Sequence, residues 1–307
     1  MQTDTLPSWA DGDARAALVD FVGAATEHVP PSERVAVFDN DGTLWCEKPT
    51  YPQLHFFVEA LRTAVAARPH LAERAEYRAV LDGDRAAVAV MGIARVAVAL
   101  VELFAGQTPE QFTSEVQRFF AEVPHPERGV RYGDLRYVPM LEVIDLLRSA
   151  DFRIFLVTAG GGDFVRAVSM DLYGVPPERV IGSRVTYEMD RSGRGLRLLR
   201  TAELDGDPNE GPAKLPSIQR QIGQRPIFAA GNSSGDAEML EYASTGEDST
   251  LALLVDHDDP MREYAYEGAA GTFAAEEAVL DVAARLGWTV ASMRNDWHKV
   301  FGASIDP

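Results

Sequence analysis

Two aspartates separated by a single residue, Asp39 and Asp41, end an apolar run that begins at Val35. A chain that leaves a strand presents alternate side chains to the same side, so both carboxyl groups can face one site. Gly42 follows and allows a turn without a Cβ clash, which lets Asp41 reach over that site. One carboxylate can attack phosphorus while the other transfers protons. The spacing therefore favours phosphoryl transfer over the alternative of a solvated Asp-Gly turn.

Three later segments of the chain add polar groups that suit the same chemistry. Thr158 stands before a glycine run at 160–162, and Lys214 lies early in a predicted helix. Asn232 and Asp236 follow a short apolar run. A hydroxyl, a cation, backbone amides and an amide–carboxylate pair are groups that phosphoryl transfer uses. Carboxylate and carbonyl oxygens also suit Mg²⁺, so we expect a magnesium site among them.

The elements that must position these groups alternate between strands and helices. Apolar runs typical of buried strands cover 35–39, 153–157, 179–185, 226–230 and 251–255. Helical spacing of apolar residues covers 13–27, 54–67, 85–105, 109–122, 137–149, 163–173, 211–222 and 236–242. Segment 186–201 has the polar, glycine-punctuated pattern of a hairpin, and 287–302 is interpreted as an edge strand or packing segment. This alternation predicts an α/β fold with a doubly wound, mostly parallel sheet, whose site lies at the carboxyl ends of its strands.

A long helical block interrupts this alternation. From residue 51 to about residue 122 no strand candidate occurs, and Thr108 is the expected N-cap of a helix that starts at Pro109. We predict that residues 47–135 form an inserted helical cap, and that residues 1–46 together with 136–307 form the α/β core.

The acidic composition of the chain limits the classes of molecule that it can bind. The chain has 47 acidic and 29 basic residues and a formal net charge of −18. Such a field repels nucleic acid and anionic membranes, which we exclude as partners, and a phosphate site must be locally positive. The N-terminus has no basic segment followed by an apolar stretch, and Arg95 and Glu102 interrupt the apolar segment 87–105, so we expect a cytoplasmic protein. Cys46 is the only cysteine and is expected to be packed rather than catalytic.

Four short motifs occur in an order that resembles the haloacid dehalogenase (HAD) superfamily. They are DNDGT at 39–43, VTAGGG at 157–162, GPAK at 211–214 and GNSSGD at 231–236. The chain is most similar to the phosphoserine-phosphatase-like branch, and the helical block between the first and second motifs resembles a C1-type cap. The resemblance implies a HAD-like core in which a cap closes over the site and selects the substrate.

The resemblance also implies roles for individual residues. Asp39 would be the nucleophile and Asp41 the general acid/base, while Thr158 and Lys214 would hold the phosphoryl oxygens. The supplementary backbone amides would be those around Asn40, Asp41, Ala159 and Gly160. The Mg²⁺ ligands would be Asp39, the carbonyl of Asp41, Asn232 and Asp236. The candidate substrate-selecting residues are Glu47, Lys48, Tyr51, Gln53 and His55.

One position departs from the family pattern. The fourth motif usually opens with aspartate, whereas this chain has Asn232, so we expect Mg²⁺ to bind more weakly. Asp41 points to a phosphate ester, because the dehalogenases and phosphonatases of the superfamily lack an acid at that position. Trp45 is interpreted as a packing residue, and His257 as lying outside the substrate contacts.

The function that we expect is a Mg²⁺-dependent phosphomonoesterase that hydrolyses a small phosphorylated metabolite through an aspartyl-phosphate on Asp39. Two alternatives remain open. A phosphotransferase or phosphomutase would use the same groups with another acceptor, and a non-catalytic protein would only bind a phosphorylated ligand. The sequence identifies neither the physiological substrate nor the oligomeric state.

Overall fold

A computed structural model describes residues 5–193, 195–246 and 249–302 of the chain. The strands are β1 (Val35–Phe38), β2 (Arg153–Gly161), β3 (Val180–Ser183), β4 (Val185–Asp190), β5 (Arg197–Leu204), β6 (Phe228–Gly231), β7 (Leu251–Asp256) and β8 (Thr289–Ser292). Six of them form one parallel sheet in the order β3-β2-β1-β6-β7-β8, and β4 pairs with β5 in an antiparallel hairpin. The chain order reverses between β1 and β6, which confirms the predicted doubly wound sheet.

Helices flank both faces of this sheet. They are α1 (Asp13–His28), α2 (Pro52–Ala67), α3 (Ala75–Leu81), α4 (Arg85–Met91), α5 (Ile93–Glu102), α6 (Pro109–Glu122), α7 (Val138–Ser149), α8 (Gly162–Tyr173), α9 (Lys214–Ile222), α10 (Ala237–Ser244), α11 (Val279–Leu286) and α12 (Met293–Asp296). Among the described residues, no helix combines the length and apolar character needed to cross a membrane.

The central strand β1 is apolar throughout because both of its faces are buried. Val35 and Val37 belong to one hydrophobic core, whereas Ala36 and Phe38 belong to the core on the opposite face of the sheet. Successive side chains of a strand point to opposite faces, so a strand covered on both sides has no polar position. The apolar run therefore ends where β1 ends, and the first polar side chain after it is Asp39.

The inserted helices α2 to α6 follow β1, and α2, α3 and α5 share a further small core. Its fully buried members are Leu61, Tyr77, Val96, Ala99 and Leu100. The chain enters and leaves this segment through two short stretches that pair with each other. The Tyr137 amide donates to the Leu44 carbonyl at 2.9 Å, and the Cys46 amide donates to the Leu135 carbonyl at 3.0 Å. The insertion thus begins and ends at one crossing, and α6 also packs Phe112, Val116, Phe119 and Phe120 into the main hydrophobic core.

The predicted start of α6 is confirmed. The Thr108 hydroxyl accepts a hydrogen bond from the Gln111 amide at 3.3 Å, and the Gln111 side chain accepts one from the Thr108 amide at 2.8 Å. This reciprocal arrangement is a capping box, which satisfies two backbone donors at the helix start.

Several predicted boundaries were wrong. The helix expected over 85–105 is two helices, because Gly92 has a φ of 89° and separates α4 from α5. The glycine run expected as a turn is divided between β2 and α8, and the strand expected over 179–185 is divided between β3 and β4. The hairpin predicted over 186–201 is confirmed, although residue 194 lies outside the described residues, as do 1–4, 247–248 and 303–307. The tail forms the edge strand β8 and the short helix α12.

Candidate active site

Asp39 lies directly after β1 and is held there by the neighbouring strand. Its amide donates to the Ala230 carbonyl of β6 at 2.9 Å, and the carboxyl group is buried. The chain then turns tightly, with the Gly42 amide donating to the Trp45 carbonyl at 2.9 Å. Gly42 has a φ of 74°, and a Cβ at this position would lie 2.1 Å from Asn232 Nδ2. Both the backbone conformation and the lack of space therefore require glycine.

Lys214 joins the first and fourth motifs. It is the first residue of α9 and is buried, with Nζ 2.7 Å from Asp39 Oδ1 and 2.5 Å from Asp236 Oδ1. Burial raises the pKa of Asp39 well above its ordinary value, the charge of Asp236 raises it further, and Lys214 opposes both. Burial alone would lower the pKa of Lys214, but the charges of Asp236 and Asp39 outweigh it and raise that pKa. Two carboxylates thus share one buried cation.

Asp236 has a second set of contacts with the loop in which it lies. Its Oδ2 accepts hydrogen bonds from the Asn232 amide at 3.0 Å, the Ser233 amide at 3.0 Å and the Ser233 hydroxyl at 3.2 Å. Both oxygens of Asp236 are therefore engaged, one by the loop and one by Lys214. This geometry fixes the loop that carries Asn232 relative to the lysine.

The oxygens of Asp39 and Asn232 converge on one hydroxyl group. Thr43 Oγ1 lies 3.5 Å from Asp39 Oδ2 and 3.2 Å from Asn232 Oδ1, and a hydroxyl has only one hydrogen to donate. Oxygen acceptors thus outnumber donors at this point. A carboxylate and an amide oxygen placed in this way fit the hard-oxygen preference of Mg²⁺. Within the described ranges there is no group of three or more His, Cys, Asp or Glu residues suited to a metal, so the fit depends on the amide and on backbone carbonyls.

The second motif lies at the end of β2, beside the Asp39 loop. The pairing of β2 with β3 shifts register between Val157 and Gly161, which projects the intervening residues out of the ladder. The Thr158 hydroxyl is buried and accepts a hydrogen bond from the Gly160 amide at 2.9 Å. A Cβ at Gly160 would lie 3.6 Å from Asp41 Oδ2, so the first and second motifs are in contact.

Two residues that the sequence did not single out support this segment. The Ser183 hydroxyl donates to the Ala159 carbonyl at 2.7 Å, and the Asn209 side chain donates to the Thr158 carbonyl at 3.0 Å. The Asn209 amide in turn donates to Ser183 Oγ at 2.9 Å. No sequence pattern connects these positions, because the contacts depend on how β3 and the segment before α9 pack beside β2.

Asp41 receives a hydrogen bond from Trp45. The indole Nε1 donates to Asp41 Oδ1 at 2.8 Å, a role that the packing interpretation of Trp45 did not include. Burial raises the pKa of Asp41 to about 6; the Trp45 hydrogen bond opposes the rise, and the charge of Glu47 adds to it. A carboxyl group in this range can both give and take a proton near neutral pH.

The substrate-selecting candidates divide into two groups. Glu47 is buried, its Oε1 lies 3.1 Å from Lys48 Nζ, and that ammonium lies 4.1 Å from the ring centre of Tyr266 and 5.8 Å from that of Tyr51. Tyr266 comes from the irregular segment after β7 and was not predicted. His55 of α2 instead packs within the insertion: its Nδ1 lies 2.6 Å from the Tyr132 hydroxyl, and its ring centre lies 5.6 Å from that of Phe119 on α6.

Gln53 reaches from α2 to the second motif. Its Oε1 accepts a hydrogen bond from the Gly161 amide at 2.7 Å. A Cβ at Gly161 would lie 2.6 Å from Gln53 Nε2, so the glycine leaves room for this contact. The inserted helices therefore touch the carboxyl end of the sheet through a side chain that the sequence had indicated.

His257 contacts the turn that follows Asp41. Its Nε2 lies 2.7 Å from the Gly42 carbonyl, and its Nδ1 lies 3.2 Å from Glu263 Oε2. Burial raises the pKa of Glu263, but the hydrogen bond and charge of His257 outweigh it and hold that pKa below its ordinary value. His257 thus contacts the backbone beside Asp41, which agrees with its interpretation as lying outside the substrate contacts.

Comparison with protein families agrees with this architecture. The model of the haloacid dehalogenase-like hydrolases matches residues 36–241, which is more than half of the 307 residues. The chain therefore belongs to the haloacid dehalogenase-like hydrolase family. This assignment confirms the family that the four ordered motifs indicated.

Two solved structures with TM-scores above 0.5 share this fold at low sequence identity. A protein of unknown function from Bordetella pertussis Tohama I is 19% identical, with a TM-score of 0.54 over 84% of this chain and 97% of that chain. A conserved, functionally unknown protein from Anaerococcus prevotii DSM 20548 is 15% identical, with a TM-score of 0.61 over 94% of each chain. A phosphoserine phosphohydrolase-like protein from Francisella tularensis subsp. tularensis SCHU S4 matches at 17% identity and a TM-score of 0.42, over 84% of this chain and 94% of that chain. No curated protein matches the chain significantly.

Proposed function

We propose that the protein is a Mg²⁺-dependent phosphomonoesterase that acts on a small phosphorylated metabolite through an aspartyl-phosphate on Asp39. The observation that carries this proposal is the contact of Lys214 Nζ with Asp39 and Asp236 at the carboxyl end of the sheet, with Asp41 beside them. Lys214 supplies a buried positive charge in a chain of net charge −18, and because two carboxylates share it, Mg²⁺ and backbone amides would supply the rest of the positive charge that an anionic substrate needs.

The proposed reaction has two steps. A carboxylate oxygen of Asp39 attacks phosphorus, the bond from phosphorus to the ester oxygen breaks, and Asp41 gives its proton to the leaving oxygen. Water then attacks the phosphorus of the acyl phosphate, Asp41 takes a proton from that water, and inorganic phosphate leaves Asp39 as a free carboxylate. The pKa of Asp41, raised to about 6, suits both proton transfers.

Other residues would hold the transferring group. Lys214 would neutralise charge on the phosphoryl oxygens, and the Thr158 hydroxyl would donate a hydrogen bond to them. Backbone amides near Asn40, Asp41, Ala159 and Gly160 would add further donors. The Gly160 amide already donates to Thr158, so its contribution requires that this hydrogen bond be shared or exchanged.

Asp39, the Asp41 carbonyl and Asn232 would hold Mg²⁺. When bound, the cation would supply positive charge beside the nucleophile and reduce the repulsion of the phosphoryl oxygens. Asp236 would act chiefly by fixing Lys214 and the Asn232 loop, because both of its oxygens already accept hydrogen bonds. An amide in place of a second acidic ligand lowers the negative charge of the site, so we expect weaker Mg²⁺ binding.

We further propose that residues 47–135 act as a cap over this site. The hydrogen-bonded crossing at which the segment begins and ends, together with its own small core, supports this division of the chain, and the contact of Gln53 with Gly161 supports a position of α2 beside the site. Glu47, Lys48, Tyr51 and Gln53 would then select the substrate, and Tyr266 joins them from the core.

The test is the release of p-nitrophenol from p-nitrophenyl phosphate, with Mg²⁺ and with EDTA. We expect metal-dependent turnover by the wild-type protein and none by Asp39→Asn, while Asp145→Asn, an exposed aspartate on α7, retains full activity. Equal release by wild type and Asp39→Asn would overturn the proposal in favour of a binding function. Transfer of phosphate to added glycerol in preference to water would favour the phosphotransferase alternative.

A further inference from the structure

The Trp45 indole donates a hydrogen bond to one of the two oxygens of the Asp41 carboxyl group. Nε1 donates to Asp41 Oδ1 at 2.8 Å, and only 1% of the Trp45 surface is exposed. The backbones of the two residues are also bridged, and the Trp45 carbonyl accepts a hydrogen bond from Gly42. The indole and the carboxyl group are therefore fixed relative to each other by both side chain and backbone.

The orientation of the indole is set by rings from two parts of the molecule. Phe120 of α6 stacks on Trp45, with 5.4 Å between the ring centres and 29° between the ring planes. The ring centres of Phe164 and Tyr173 of α8 lie 6.4 Å and 6.2 Å from that of Trp45. Close packing around a rigid ring leaves it little freedom to turn, so the N–H group points at Asp41 in a defined direction.

The two oxygens of Asp41 consequently face different surroundings. Oδ1 accepts the indole hydrogen, whereas Oδ2 faces the second motif, 3.6 Å from the position of a Cβ on Gly160. In a neutral carboxyl group the carbonyl oxygen is the stronger hydrogen-bond acceptor, so an N–H donor favours the proton on the other oxygen. The proton of Asp41 is therefore placed on Oδ2, on the side of Thr158 and the phosphate-binding segment.

We propose that Trp45 is a positioning residue for Asp41. By donating a hydrogen bond to Oδ1, it leaves Oδ2, which carries the proton, facing the leaving oxygen of the substrate. This inference rests on the proposed function, in which Asp41 is the general acid. It predicts that loss of the indole N–H impairs proton delivery to the leaving group and spares substrate binding.

The test compares two substrates that differ in their need for an acid. The p-nitrophenolate group leaves readily without a proton, whereas phenolate is more basic and depends more on protonation. For Trp45→Phe in Mg²⁺, we expect kcat/KM to fall about tenfold or more with phenyl phosphate and only about twofold with p-nitrophenyl phosphate, because general acid catalysis contributes about a hundredfold or more in enzymes. KM should stay close to the wild-type value for both substrates.

Trp9→Phe is the matched control. Trp9 is also buried, and its indole donates to the Pro139 carbonyl at 3.0 Å, away from Asp41. We expect this variant to affect both substrates equally. A second measurement is the double variant Trp45→Phe with Asp41→Asn, in which the tryptophan change should have no further effect on the phenyl phosphate rate, because it acts through Asp41.

Equal losses on the two substrates for Trp45→Phe, or additive losses in the double variant, would overturn the proposal. If Trp45→Phe does not fold, benzothienylalanine at position 45 preserves the ring shape, replaces N–H with sulfur, and must give the same substrate dependence. Failure of the phosphomonoesterase proposal would look different, because the wild-type protein would then show no turnover dependent on Mg²⁺ and Asp39.

Discussion

At the scale of single residues, the protonation of Asp41 is set chiefly by burial, with opposing effects from Trp45 and Glu47 as the next largest influences. Burial raises its pKa to about 6, the Trp45 hydrogen bond lowers it, and the negative charge of Glu47 raises it. The general acid form is the protonated one, so kcat/KM for an ester with a basic leaving group should decrease as the pH rises above about 6.

Glu47→Gln tests this assignment. The substitution removes a negative charge that raises the pKa of Asp41, so the pKa should fall and the decrease in kcat/KM should begin at a lower pH. The measurement is the pH dependence of kcat/KM for phenyl phosphate. Glu122→Gln, an exposed position at the end of α6, should leave the profile in place. A shift to higher pH in Glu47→Gln would contradict the electrostatic account.

The sequence predicted the groups of the site better than their partners. Asp39, Asp41, Thr158, Lys214 and Asp236 could be found because each follows a strand or opens a helix, where the site of a parallel sheet lies. The supporting contacts could not be found in this way, because some join positions far apart in the chain and the others depend on side-chain directions that the sequence does not give. The supporting residues are Trp45, Ser183, Asn209, Glu263 and Tyr266.

At the scale of elements, the strands were predictable because both of their faces are buried, and a short, uniformly apolar run bounded by turn residues is typical of such a strand. Helix boundaries inside the insertion were less predictable. The apolar spacing continues through Gly92, and only the φ of 89° at that residue separates α4 from α5. The glycine run at 160–162 was also ambiguous, since glycine is compatible with a turn, a bulge or a helix start.

The contact between α2 and the second motif supports a prediction at this scale. Gln53→Ala removes the acceptor of the Gly161 amide and one link between the insertion and the core. A hydrogen bond contributes about 0.5–1.5 kcal/mol, so we expect kcat/KM to fall about three- to tenfold with little change in Tm. Gln221→Ala is the control. It removes a hydrogen bond from α9 to the carbonyl of Glu178, which lies just before β3. Unchanged kinetics in Gln53→Ala would show that this contact does not matter for catalysis.

At the scale of the whole molecule, we expect the site to reduce the stability of the fold at neutral pH, because burial raises the pKa of Asp39 well above its ordinary value. Asp39 and Asp236 are both buried, and Lys214 is the cation in contact with both of them. A carboxyl group whose pKa is raised on folding binds its proton more tightly in the folded state. Its contribution to the free energy of unfolding therefore decreases as the pH rises from 3.8, the ordinary value, through the raised value.

We predict that Asp39→Asn is inactive yet more stable than the wild-type protein at neutral pH in EDTA. The amide oxygen can still accept the Lys214 hydrogen bond without the buried charge, and a gain of about 1 kcal/mol would raise Tm by about 2–4 °C. The difference should shrink as the pH approaches 3.8. Thermal unfolding followed by circular dichroism provides the measurement, with Asp145→Asn as the exposed control. A lower Tm for Asp39→Asn at neutral pH would be incompatible with this account.

The paired stretches around Leu44 and Leu135 affect which parts of the sequence can be altered in evolution or design. Because the two ends of the insertion are hydrogen-bonded to each other, the length of the chain between them can vary without a change in the spacing of the sheet strands. Selection or design can therefore vary α3 and α4, which pack within the insertion, more freely than α6, whose Phe120 stacks on Trp45.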